Sequence, residues 1–170
     1  MRTTIAAVLL LGGICAYAQK PLPDRTPPPR WQQFATQRFS VEMPGRPATK
    51  TETLKAKNGR PVFYTTYTDD LGRRAYMTST SDYDAQTAIS LDGAIDGVLS
   101  AWKEPKNLTR RTTTLYGVPA RIVDFTSEDY RVVVRAFAVG KRLYQLGFVE
   151  VRGDFQPVHV DRFMRSFRLR

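Results

Sequence analysis

Few side chains in this sequence could carry out chemistry. His159 is its only histidine and Cys15 its only cysteine. A lone histidine without a cysteine partner supports neither a catalytic triad nor a metal cage. The sequence therefore predicts no catalytic residues, no metal and no cofactor. We interpret His159 as a packed or edge histidine on the apolar side of a closing helix.

Carboxylates occur in three short clusters. These are Asp69-Asp70, Asp82-x-Asp84 and Glu128-Asp129. A hydrolase that works with paired carboxylates needs two of them facing one cleft, about 5–9 Å apart. All three clusters fall where turns are expected, and turn capping is a common role of such residues. A carboxylate-dependent hydrolase near Asp82 is therefore kept as an alternative function. Asp82 and Asp84 are also too few for calcium, which takes roughly 6–8 oxygen ligands.

Residues 76–84 best fit a ligand-binding face. Most of them belong to a strand predicted over residues 75–81, which is polar on both sides, since residues 78–81 are Thr-Ser-Thr-Ser. Such a strand is not expected to fill a core, and its hydroxyls could line a groove beside the following helix. The predicted ligand face consists of Tyr76, Thr78, Thr80, Asp82 and Asp84. An edge strand kept polar to discourage association between sheets is the structural alternative.

Strands account for most of the elements that must position these residues. They are predicted over residues 31–36, 39–43, 49–56, 62–68, 75–81, 107–115, 118–126, 130–139 and 143–151. Asn58-Gly59 predicts a hairpin in which both turn residues have positive φ, and Gly140-Lys141 suits a type II′ turn. Short connections of this kind make neighbouring strands antiparallel.

Two helices are predicted from apolar residues that recur on one face. The first begins after Ser90, a good N-cap, and ends before Pro105. Its apolar face consists of Leu91, Ile95, Val98, Leu99 and Trp102. The second covers residues 155–167, in which Phe155, His159, Phe163 and Phe167 are spaced four apart. The predicted fold class is α+β, with a single antiparallel β-sheet and helices packed on it.

The N-terminus indicates export. Arg2 is followed by an apolar run at residues 5–11 and by Ala-Tyr-Ala at residues 16–18, the pattern of a secretory signal peptide. The run is shorter than the roughly 20 apolar residues that span a bilayer. Cleavage is predicted between Ala18 and Gln19. Lipid attachment at Cys15 is the alternative, although a small residue does not precede it.

The predicted domain organisation follows from this start. Residues 1–18 are the signal peptide, and residues 19–30 are a linker that contains five prolines. Residues 31–170 are long enough for one α+β domain with one core. The mature protein is expected to be periplasmic or extracellular and to contain no cysteine.

Net charge points to anionic partners. The chain has 26 Lys and Arg against 16 Asp and Glu, a net charge of +10, which becomes +9 once Arg2 is removed with the signal peptide. Such a surface attracts anions within a Debye length of roughly 8 Å. Anionic lipid, acidic glycan or an acidic protein are candidate partners outside the cytoplasm. Nucleic acid is not expected, because no reading motif is present. Solubility alone is the alternative explanation of the charge.

Two segments carry a family resemblance. Residues 39–47 are Phe-Ser-Val-Glu-Met-Pro-Gly-Arg-Pro, and residues 162–169 are Arg-Phe-Met-Arg-Ser-Phe-Arg-Leu. They resemble the F-S-V-x-x-P-G-x-P opening and the F-x-x-S-F closing helix of small exported bacterial domains of the PsbP-like and DcrB-like group. The resemblance implies a PsbP-like sandwich of antiparallel sheet and helices, and mostly non-enzymatic accessory or binding roles. No site motif of the group matches, so it implies no functional residue.

The sequence thus favours an exported bacterial envelope protein, a non-enzymatic binding or accessory module with a basic surface. The hydrolase remains one alternative. The other is a structural subunit of an envelope assembly, which would carry an exposed apolar patch of several hundred Å².

Overall fold

The computed structural model describes residues 30–56 and 58–170. The predicted signal peptide, its cleavage site and all of the predicted linker except Arg30 lie outside these ranges. The elements are β1 (Gln32–Ala35), β2 (Phe39–Met43), β3 (Ala48–Lys55), β4 (Pro61–Asp70), β5 (Arg74–Asp82), α1 (Leu91–Ser100), β6 (Lys106–Leu115), β7 (Val118–Ser127), β8 (Tyr130–Val139), β9 (Arg142–Val151), α2 (Pro157–Ser166) and β10 (Arg168–Leu169). Neither α1 nor α2, the helices within the described ranges, is long and apolar enough to cross a membrane.

The strands form two sheets, so the prediction of a single sheet is wrong. A seven-stranded sheet has the order β3-β4-β5-β9-β8-β7-β6, and a three-stranded sheet has the order β1-β2-β10. All neighbouring strands run antiparallel. The turn after Met43 carries the chain from the small sheet to the large one. The small sheet is completed by Arg168 and Leu169, which pair with Ser40 and Phe39.

Three hairpin turns join neighbouring strands of the large sheet, and the sequence predicts the conformation of two of them. Gly140 has a φ of 59° in the two-residue connection between Val139 and Arg142, as a type II′ turn requires. Tyr116 and Gly117 both have positive φ, 53° and 77°. The hairpin of β3 and β4 also forms, but residues 56–60 lie between its last paired residues, Lys55 and Pro61. Only the glycine of Asn58-Gly59 has a positive φ there, so a tight turn with two such residues was the wrong prediction.

Both faces of the large sheet are covered. On one face lie the small sheet and α2, and half of the buried residues in the core there are aromatic. Phe39 stacks on Phe167 with ring centroids 5.2 Å apart, and Tyr76 meets Phe163 edge to face at 5.4 Å. The other face packs against α1 through smaller side chains such as Val98, Val123 and Val134. The fold is therefore a sandwich in which β5 and β9 are buried on both sides.

The first helix forms as the sequence predicts. The Ser90 side chain accepts a hydrogen bond from the Gly93 backbone N–H at 3.0 Å, which caps the helix. Asp92 follows in the first turn, where the helix dipole favours a negative charge. Ile95 and Val98 are buried against the sheet. The chain leaves the helix at Ala101, and Trp102 packs just beyond the end.

Trp102→Ala is expected to lower the free energy of unfolding by about 3–5 kcal/mol, because it leaves a cavity in a packed core. The Trp102 ring lies 6.0 Å from that of Phe125 and 6.1 Å from that of Tyr130, measured between centroids. Urea unfolding followed by circular dichroism measures the change. Val158→Ala, at a side chain that is 64% exposed, is the control and should change little. An unchanged midpoint for Trp102→Ala would contradict this packing.

Candidate functional site

The predicted ligand face lies on an interior strand. β5 is hydrogen-bonded to β4 on one side and to β9 on the other, so the explanation of its polarity as an edge strand is wrong. Tyr76 and Thr78 are fully buried and Thr80 is 8% exposed. The expectation that a polar strand cannot fill a core is also wrong, because Ser79 and Ser81 are only 1% exposed. Small hydroxyl side chains fit beneath the layers that cover the sheet.

The two aspartates of the predicted face lie at the surface and are held separately. Asp82 forms ion pairs with Arg38, at 3.3 Å, and with Arg142. Asp84 forms an ion pair with Arg60 at 2.6 Å and accepts a hydrogen bond from the Thr87 hydroxyl at 2.6 Å. Burial raises the pKa of Asp82, whereas the Thr87 hydrogen bond lowers the pKa of Asp84. Each of these two carboxylates is thus already paired with at least one arginine.

Asp82 and Asp84 belong to one end of the sandwich, which we call the basic end. Here β3, β5, β6 and β8 finish and β4, β7 and β9 begin. The Tyr83 backbone N–H donates to the Lys141 carbonyl at 2.9 Å, and that of Arg170 donates to the Arg38 carbonyl at 3.0 Å, which brings both sheets to this end. Its basic residues within the described ranges are Arg38, Lys55, Arg60, Lys141, Arg142, Arg168 and Arg170.

Charge is divided unequally between the two ends. Among the residues that the structure describes, the seven basic residues of the basic end face two acidic side chains, Asp82 and Asp84. The opposite end, which we call the balanced end, has the basic residues Arg46, Arg73, Arg74, Lys103, Lys106, Arg131 and Arg152. Its acidic residues are Asp69, Asp70, Glu104, Asp124, Glu128, Asp129, Glu150 and Asp154. Most of the positive excess of the described residues is therefore at one end.

A buried charged cluster lies at the balanced end. The Glu150 side chain is fully buried, forms an ion pair with Arg74 at 2.8 Å and accepts the Gln156 backbone N–H at 3.0 Å. Arg74 Nη1 also lies 2.7 Å from Nδ1 of His159. Burial raises the pKa of Glu150, which the Gln156 hydrogen bond and Arg74 oppose. Burial, reinforced by Arg74, lowers the pKa of His159.

Sequence reasoning missed Glu150 and Arg74. The available signal was an acidic residue within the otherwise apolar end of a strand, residues 146–151. His159 itself lies against the ring of Trp31, with 6.2 Å between centroids. The cluster therefore joins the start of the domain, the large sheet and α2. Among residues 30–56 and 58–170, no group of three or more His, Cys, Asp or Glu is placed to hold a metal ion.

Two pockets lie away from the predicted ligand face. One of about 200 Å³ is lined by Asp92, Ile95, Arg110, Arg111, Thr112, Arg121 and Ile122. Aspartates neutralise the charge of two of its arginines, since Arg121 pairs with Asp92 at 2.6 Å and Arg110 with Asp96 at 2.9 Å. The other, of about 320 Å³, is lined by Asn107, Thr109, Asp124, Phe125, Thr126, Arg131, Arg152 and Phe155.

The fold resembles a solved structure. The chain is similar to the solution structure of cyanobacterial PsbP (CyanoP) from Synechocystis sp. PCC 6803, with a TM-score of 0.54 and 8% sequence identity. The superposition covers 90% of this chain and 99% of that one. The chain therefore has a PsbP-like fold, which confirms the fold that the two sequence segments implied. No family model matches the chain, and no curated protein sequence matches it significantly.

The pKa of Glu150 predicts a pH dependence of stability. Because the folded-state pKa lies above the ordinary value of 4.5, the native state keeps this proton to a higher pH than the unfolded chain does. Wild-type stability minus that of Glu150→Gln should therefore fall as pH rises above about 4.5. Urea unfolding of both proteins between about pH 4 and pH 7 measures the difference. A difference that grows with pH would mean that Arg74 outweighs burial.

Proposed function

We propose that this chain is an exported, non-enzymatic accessory or binding module that holds an anionic partner at its basic end. Export is supported by the signal-peptide pattern of residues 1–18, and the protein then acts in the periplasm or outside the cell. The observation that carries the binding proposal is the charge asymmetry: seven basic residues against two paired carboxylates at one end. The balanced end provides an internal comparison on the same fold.

Three basic residues of the basic end keep positive charges that are available to a partner. Lys55 is exposed and pairs with no carboxylate of residues 30–56 and 58–170. Lys141 and Arg170 donate to the carbonyls of Thr87 and Thr36 at 3.1 Å and 3.2 Å. Neither of these two contacts neutralises a positive charge. A partner with fixed negative charge would be attracted over roughly a Debye length, about 8 Å at physiological salt. Candidate partners are anionic lipid, acidic glycan and an acidic protein.

The alternative functions have less support. A hydrolase built on Asp82 needs a carboxylate that is available to substrate, but Asp82 is shared by Arg38 and Arg142. Asp84 is paired with Arg60 and lines neither pocket described above. A subunit of an envelope assembly would need a contiguous apolar surface. The exposed large apolar side chains instead lie at both ends of the sandwich: Phe63, Tyr116 and Val139 at one, Leu108 and Val158 at the other.

Removing three positive charges from the basic end should abolish most binding to polyanions. The triple variant Lys55→Gln, Lys141→Gln, Arg170→Gln removes three charges and breaks no ion pair with a carboxylate. Binding of the exported, processed protein is measured against acidic polysaccharide and anionic vesicles at several salt concentrations. At low salt the affinity should fall by about 100-fold, since each charge near an anionic surface contributes roughly fivefold.

A matched variant at the balanced end is the control. Arg46→Gln, Lys106→Gln, Arg152→Gln removes the same charge from exposed positions. It should lower the affinity far less than the triple variant at the basic end does. Equal losses from the two variants would show that only net charge matters. Absence of binding to every polyanion at low salt would overturn the proposed function and leave solubility as the role of the charge.

A further inference from the structure

We infer that the basic end docks on the surface of an anionic lipid bilayer, with the strands of the large sheet pointing toward the membrane. This inference rests on the proposed function and specifies its partner. It stands on a second feature of the same end, namely apolar side chains that remain in solvent. Phe63 is 57% exposed, Tyr116 43% and Val139 39%. A purely electrostatic binding surface has no need of them.

Phe63 and Val139 flank the ion pair between Asp82 and Arg142 in one row across the sheet. The register places Phe63 opposite Asp82, Asp82 opposite Arg142, and Arg142 opposite Val139. Directly paired residues of antiparallel strands point to the same face, so these four side chains share one surface. Three strand spacings of about 4.8 Å separate the two apolar residues by roughly 14 Å. The four residues therefore form a short strip in which one apolar side chain lies on each side of the ion pair.

Two arginines are held in place at this strip. Asp82 forms ion pairs with Arg38, from the turn between β1 and β2, and with Arg142 of β9, which fixes two guanidinium groups beside each other. Their combined charge exceeds that of the carboxylate between them. A guanidinium group has five N–H donors in a planar fork that matches phosphate oxygens. The strip can therefore bind lipid phosphates without rearranging.

Tyr116 extends this surface toward the edge of the sheet. Its hydroxyl donates to the Phe167 carbonyl at 2.6 Å, and its ring lies 5.3 Å from that of Phe137. The β6–β7 turn thus presents an immobilised aromatic ring that is still partly exposed. Tyrosine is enriched at the boundary between membrane and water, where its ring lies among the headgroups.

The combination favours lipid over the other anionic partners. An acidic glycan would use the positive charges but would leave Phe63 and Val139 in water. A bilayer can bind both the positive charges and the apolar side chains. Its phosphates contact the arginines, and the apolar side chains enter the boundary with the acyl chains. Charge and apolar contact then add, as in peripheral membrane proteins.

The apolar component is tested separately from the charge. The double variant Phe63→Ser, Val139→Ser keeps every basic residue, and its binding to vesicles of mixed phosphatidylglycerol and phosphatidylcholine is compared with wild type. We expect affinity to fall by at least about fivefold with the salt dependence unchanged, because only apolar burial is lost. The matched control is Leu108→Ser, Val158→Ser, which alters exposed apolar residues at the balanced end and should bind like wild type.

The outcomes separate this inference from the proposed function. Circular dichroism and thermal melting first establish that both double variants are folded. Equal vesicle affinity of wild type and Phe63→Ser, Val139→Ser would overturn insertion of the basic end. Binding to acidic polysaccharide without binding to vesicles would overturn lipid docking and leave the proposed function standing. If the wild-type protein bound neither vesicles nor acidic polysaccharide, lipid docking and the proposed function would both be overturned.

Discussion

The seven-stranded sheet must bury both of its faces, and the rest of the molecule follows from this constraint. β5 and β9 lie between two packed layers, so nearly all of their side chains are out of water. The small sheet and α2 cover one face with aromatic rings, and α1 covers the other with smaller residues. The sheet is therefore exposed to solvent mainly at its two edges and its two ends.

This confinement gives the two ends different characters. At the balanced end, Glu150 is buried in the interior and forms an ion pair with Arg74, which also contacts His159. A buried ion pair of this kind ties distant parts of the chain together but offers a partner little free charge. At the basic end the carboxylates are few and already paired, so the remaining cations face solvent. The same fold thus separates an internal charged cluster from an external one.

Local signals in the sequence predicted most of the elements. Ser90 caps α1, and Gly140 forms a type II′ turn, as the sequence predicts. Both features could be predicted because they depend only on the chemistry of neighbouring residues. The single sheet was wrong because β10 is two residues long and pairs with β2 from the far end of the chain. No periodicity can be read from two residues. The polarity of β5 was misread for a related reason: hydroxyl side chains are compatible with an edge or with a tightly covered interior, and composition does not distinguish these.

The sequence by itself determined the signal-peptide pattern, the excess of positive charge, the absence of cysteine beyond residue 15 and the order of the strands and helices that precede β10. Each of these depends on residue type or short spacing. Only the tertiary structure decided which residues meet, since antiparallel pairing brought Phe63, Asp82, Arg142 and Val139 into one row. It likewise gathered seven basic residues at one end and buried Glu150 at the other. Their charges are scattered along the chain and become a surface only when the strands fold back on one another.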